Sequence, residues 1–250
     1  MVFFVGGVAL TFMALRRLGL PAWWILFPPL MEGIGAANPH VPAFALLVLG
    51  GPLIGGAVGR AIAVGLKLYA AAPILAERRW RAVLAALALL GLSVAIAPEL
   101  WRSYVDRFAE ISARLTDEAI GGVSAALFLD PGINAPAVGE ALAPIVSIAL
   151  YAIPGALIIV VALRDVRAAG WISVPLLWPA AQYSNGSFIV PVARRWSTWI
   201  IAVPTIPTYL VGLLVLCYEV AAGRQSMAEG PPPIGLTDWL RTLRTSARRG

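Results

Sequence analysis

The chain is poor in most of what soluble enzymes are built from. Only 13% of its residues are charged, against about a quarter in an ordinary soluble domain. It has one cysteine, Cys217, which excludes an internal disulfide framework and a cysteine-rich metal site. Within its apolar run Cys217 reads as a small buried hydrophobe. A single histidine, His40, supplies no metal cluster, so neither a metal nor another cofactor is expected. No phosphate-cradling loop, dinucleotide fingerprint or HExxH helix occurs. The glycine-rich GGPLIGG stretch at 50–56 lies in an apolar run, where close helix packing explains it better than nucleotide binding. Met1 opens straight into an apolar run without a basic n-region, so no cleavable signal peptide is expected.

What is present is hydrophobic. Sixty per cent of residues are apolar and the mean hydropathy is +0.83. The charge-free windows 141–163, 171–193 and 197–218 each run to roughly 20 residues, enough to cross a ~30 Å hydrocarbon core. The expected fold is therefore all-α, a polytopic membrane helix bundle over 1–218 with a basic cytoplasmic tail over 219–250. The net charge of +6 is no sign of nucleic acid, because the basic residues sit at the ends of apolar runs.

Arg16-Arg17, Arg78-Arg79, Arg164, Arg167 and the arginine-rich tail can all be cytoplasmic at once. The segment 98–140 carries seven acidic residues against three basic ones, which suits the outer face. Seven spans follow, at 1–15, 21–35, 41–59, 82–97, 141–163, 171–193 and 197–218. The stretch 61–76, with Lys67 and Pro73, is too short to cross twice and reads as a re-entrant or broken hairpin. Residues 98–115 show an amphipathic pattern of Leu100, Trp101, Tyr104, Val105, Phe108, Ile111 and Leu115. Asp130-Pro131-Gly132 reads as a turn.

One pair breaks the orientation rule. Arg194-Arg195 closes the 171–193 run and falls at the outer face. Either it snorkels in an interfacial belt with Trp196 and Trp199, or its guanidinium groups hold an anion such as a lipid phosphate. The same run is interrupted by Trp178, Pro179, Gln182, Tyr183, Ser184 and Asn185. Unpaired polar groups are costly in hydrocarbon, so this stretch reads as the wall of a polar cavity. Glu32, Asn38 and His40 are expected on the same side and could line one site with it. Lys67, a lone cation in an apolar hairpin, is a functional candidate by default.

Three stretches together resemble the polyprenyl-phosphate-dependent glycosyltransferases of family 87, which have the GT-C membrane fold. They are Phe27-Pro28-Pro29-Leu30-Met31-Glu32-Gly33 with Asn38-Pro39, then Gly59-Arg60 through Gly65-Leu66-Lys67 and Pro73 to Arg78-Arg79-Trp80-Arg81, then Leu177-Trp178-Pro179-Ala180-Ala181-Gln182-Tyr183. The resemblance covers about 1–218 and corresponds to the C-terminal portion of the family. It implies transfer of a sugar, mannose by expectation, from a polyprenyl-phosphate donor to a lipid or glycan acceptor at the outer face of the cell membrane. Glu32 would be the general base. Asn38, His40, Gln182, Tyr183 and Asn185 would contact substrate, and Lys67, Arg194 and Arg195 phosphate or lipid. The chain departs from the family pattern twice. The family's outer-loop Asp falls ahead of the matched region, so activity is expected to need an upstream half. Its late histidine is replaced by Tyr183-Ser184-Asn185. The alternative from another class is a non-catalytic membrane subunit or a lipid-binding or transport protein.

Overall fold

The computed structural model describes residues 2–53, 56–108, 110, 143–177, 183–203 and 206–227. These residues are helical, with no strand among them. Helix α1 (Val2–Arg17) is apolar until Arg16 and Arg17. It stops at Gly19, whose φ of +68° suits a residue without a Cβ. The Leu20 amide donates to the Leu15 carbonyl and the Gly19 amide to that of Arg16, closing the helix end. A 3-10 turn (Ala22–Leu26) leads to α2 (Pro28–Gly35), which begins on a proline whose missing N–H would have been unpaired there anyway. Ala37 then takes a left-handed φ of 51°, at a cost of about 1 kcal/mol for a residue with a Cβ. The Asn38 amide donates to the Gly33 carbonyl, and α3 (His40–Leu53) leaves at 116° to α2.

Helix α4 (Ala57–Leu66) breaks at Lys67, which is extended at φ −150°, ψ 113°. A 3-10 turn (Leu68–Ala70) and α5 (Ala71–Ala76) follow. Next come α6 (Trp80–Ile96) and α7 (Pro98–Asp106), bent by 97° from one another. Helix α8 (Ala143–Arg164) passes through Asp165 into α9 (Val166–Leu177). Two 3-10 segments (Tyr183–Ile189 and Trp196–Ala202) lead to α10 (Ile206–Ala221). The sequence-based boundary at 218 thus falls inside α10, and residues to 227 belong to the body of the fold.

Small residues let the elements approach. A Cβ on Gly170 of α9 would lie 3.0 Å from the Ala72 carbonyl oxygen of α5. One on Gly50 of α3 would lie 3.2 Å from the Arg60 nitrogen of α4, which accounts for part of the glycine-rich stretch by packing. The core centres on Phe27, Leu30, Phe44, Ile172, Phe188 and Tyr209, all fully or almost fully buried. Outside it, α6 exposes Leu84, Leu87, Leu92 and Ile96. Among the residues whose side chains are described, no single helix is long and apolar enough to cross a membrane. The bent pairs α2–α3 and α6–α7 pass that test on length and composition alone.

Asp165 joins two elements. Its Oδ1 accepts the amides of Arg167 and Ala168 at 3.0 Å each, capping α9, and its Oδ2 accepts the Met227 amide at 3.1 Å. Asp165→Ala is expected to destabilise the protein by about 1–2 kcal/mol. The loss would be seen as earlier thermal unfolding, with faster amide exchange at Arg167, Ala168 and Met227. An unchanged exchange rate at Met227 would show that the tie across 62 residues carries no weight.

Arg194 and Arg195 are held by contacts at the ends of α1 and α10. Arg194 Nη1 donates to the Leu18 carbonyl at 2.9 Å, directly after Arg16-Arg17. The amides of Arg194 and Arg195 both donate to Gln225 Oε1, and Arg195 Nε lies 3.7 Å from Glu219 Oε1. Ser197 donates to the same carboxylate, and Gln225 Nε2 donates to its other oxygen. Both arginines therefore sit at the end that holds the close of α1 and of α10. Arg164 packs against Gly223 there. Arg79, Glu77 and Arg17 each act on Arg60 through space, and Glu77 accepts a hydrogen bond from Trp171 of α9. Arg164, Arg194 and Arg195 thus lie near one another at one end of the described fold.

Candidate functional site

Three interruptions of helical structure meet at one place. They are the bend between α2 and α3 at 36–39, the break at Lys67, and the 3-10 segment Tyr183–Ile189. His40 opens α3, and its amide donates to Asn38 Oδ1 at 3.1 Å. Its imidazole is 2% exposed and stacks on Tyr69, with ring centroids 5.5 Å apart and 12° between planes. Ser184 Oγ lies 3.3 Å from His40 Nδ1. Asn185 bonds the His40 side chain, and Lys67 acts on the same imidazole through space. The Tyr69 hydroxyl donates to Asn185 Oδ1 at 3.4 Å.

Glu32 approaches the cluster from α2, where the Ser184 backbone amide donates to it. Its field reaches the hydroxyls of Tyr183 and Tyr209. Glu32 is exposed, whereas His40, Ser184 and Asn185 are buried, so the carboxylate stands at the open side of a closed polar cluster. Tyr183 is anchored by donating to the Ala202 carbonyl at 2.6 Å.

The structure thus brings together five of the residues singled out in the sequence: Glu32, His40, Lys67, Tyr183 and Asn185. Asn38 joins them by capping His40. Gln182 lies outside the described residues. Arg194 and Arg195 belong instead to the basic end, held by Leu18, Glu219 and Gln225. Tyr69 and Ser184 are added. Ser184 could have been found from its place between Tyr183 and Asn185. Tyr69, an aromatic in an apolar run, gave no such signal. A histidine is missing from 183–185, yet the imidazole of His40 lies against Ser184 and Asn185.

The cluster supplies one carboxylate, one ammonium, one imidazole and several neutral hydrogen-bonding groups. Such a set can accept a proton from a hydroxyl and hold an anionic group. Among the described residues no group of three His, Cys, Asp or Glu side chains could hold a metal ion. Beyond Gly65 and Leu68, which flank Lys67, an apolar groove of about 960 Å³ runs between α4, α5, α6 and α7, with Ser93, Trp101 and Tyr104 in its wall. Comparisons with protein-family models, with curated proteins and with solved structures find no match to this chain.

Proposed function

We propose that this protein is a polytopic membrane protein of the sugar-transferring kind, taking a sugar from a polyprenyl-phosphate donor to a hydroxyl acceptor. The observation that carries this reading is the convergence of Glu32, His40, Lys67 and Asn185 from three separate breaks in the helical chain. Backbone of this irregular kind is tolerated within a bilayer only where protein or a polar cavity surrounds it. Intramembrane ionisable residues mark substrate paths by default. The leucine-covered face of α6 suits hydrocarbon as its surroundings, and the basic residues gathered at one end suit the cytoplasmic surface. Lys67 stands roughly 10 Å along the helix from Arg60, so the site lies within the layer and away from that surface.

In this reading Glu32 takes the proton of the acceptor hydroxyl as the new glycosidic bond forms. Lys67 stabilises the charge gathering on the departing phosphate. The groove of about 960 Å³ favours a second reading, a lipid carrier that binds the same donor and never turns it over.

The test is donor binding by the chain in lipid nanodiscs, followed by an assay for transfer to an added acceptor. A charge-assisted contact is worth about 1.5–3 kcal/mol, so Lys67→Gln is expected to weaken donor binding by roughly 10- to 100-fold. Equal affinity in the variant and the parent would remove Lys67 from the site. Tight binding without turnover would favour the carrier.

A further inference from the structure

Beside the His40 cluster, buried polar atoms are left without partners on the 3-10 segment Tyr183–Ile189 and on α10. Asn185 Oδ1 is used by Tyr69, but Asn185 Nδ2 has no acceptor. Ser187 Oγ has no partner, nor does the hydroxyl of Tyr209. All three residues are 0% exposed. Gly186 lies between the first two, and a Cβ built there would come within 3.1 Å of the Tyr209 hydroxyl and of Pro29. The absence of a side chain at 186 thus keeps the Tyr209 hydroxyl close to the backbone of the 185–187 turn.

Buried hydrogen-bonding groups are nearly always satisfied, so unsatisfied ones on the 185–187 turn and on the neighbouring helix α10 call for an occupant. Their chemistry restricts what it can be. An amide NH₂ donates, and two hydroxyls both donate and accept, with no cation among the three. Neutral groups of this kind match the hydroxyls of an uncharged polyol better than an anion. Lys67 serves the anionic side of the cluster, where it acts on His40.

We infer that Asn185 Nδ2, Ser187 and Tyr209 form a subsite for the hydroxyl groups of a neutral sugar. This rests on the transfer reading for the choice of ligand, and names the part of the donor or acceptor that the 185–187 turn recognises. Ser187→Ala and Tyr209→Phe remove one hydroxyl each with little change of shape, and both remove a group that is unsatisfied without ligand. Both variants are expected to fold, with unliganded melting midpoints equal to or above that of the parent.

The experiment uses the full chain in detergent with methyl α-mannoside as probe. At about ten times its dissociation constant the glycoside is expected to raise the melting midpoint by roughly 3 °C. Ser187→Ala and Tyr209→Phe are each expected to weaken its binding by about tenfold. No shift in the parent protein would overturn the assignment and leave water as the occupant of the turn. So would full retention of the shift in both hydroxyl variants. If the glycoside shift follows this pattern while the polyprenyl-phosphate donor fails to bind, the subsite stands and the transfer reading falls.

Discussion

On the proposed transfer reaction, Glu32→Gln is expected to lower the rate by about 10²- to 10⁴-fold and to leave donor affinity within a factor of two or three. The glutamine carbonyl can still accept the Ser184 amide that the carboxylate accepts now, so the local fold is preserved. It cannot take up a proton from the acceptor hydroxyl. The loss therefore belongs in kcat, and Glu32→Asp, with a proton acceptor one methylene shorter, recovers part of it. Lys67→Gln is expected to act differently, because in that proposal the ammonium would hold the phosphate in the ground state as well as in the transition state. Its effect includes a rise in KM for the donor. Steady-state kinetics on both variants separate the two roles, and a normal kcat for Glu32→Gln would remove the carboxylate from the chemistry.

Gly212→Ala is expected to be the most damaging methyl addition in the described part of the fold. The new Cβ would lie 2.7 Å from the backbone nitrogen of Ile201 and 3.1 Å from its Cα. These atoms belong to the 3-10 segment Trp196–Ala202 and cannot rotate away as a flexible side chain could. Overpacking of this kind costs about 1–3 kcal/mol, with the upper end expected where backbone must move. Gly91 provides the control. It lies in α6 with nothing within 4 Å of its Cβ position, so Gly91→Ala is expected to gain up to about 1 kcal/mol from helix propensity alone. Melting midpoints of the two variants should move in opposite directions. A shift of the same sign in both would mean that the contact of α10 with Ile201 is not tight.

The helical class was legible because the apolar runs are long and charge-poor. Several site residues were legible for a related reason, since polar groups stand out against hydrocarbon. Lys67 is a lone cation in an apolar stretch, Asn185 is an amide in another, and Glu32 and His40 flank a proline-rich bend. Their convergence on one locus was anticipated only loosely. Nothing in the spacing says that Ser184 faces His40 across 144 residues. Tyr69 was invisible because a buried tyrosine and a core phenylalanine leave the same trace in a hydropathy pattern. Charge counting gave no sign of where Arg194 and Arg195 sit, because their partners lie far away in the chain. There Arg194 Nη1 donates to the Leu18 carbonyl and Arg195 faces the Glu219 carboxylate.

The corner that holds these arginines also brings aromatic rings together. Trp23 and Trp196 stack 5.4 Å apart with 9° between their planes, although 173 positions separate them in the chain. Trp199 lies 5.4 Å from Trp23 on a tilted plane. Indoles this close share their electronic excitation, so the closing of the returning segment onto the turn after α1 has an optical signature. Near-ultraviolet circular dichroism can follow that closure in the unlabelled protein, independently of any ligand.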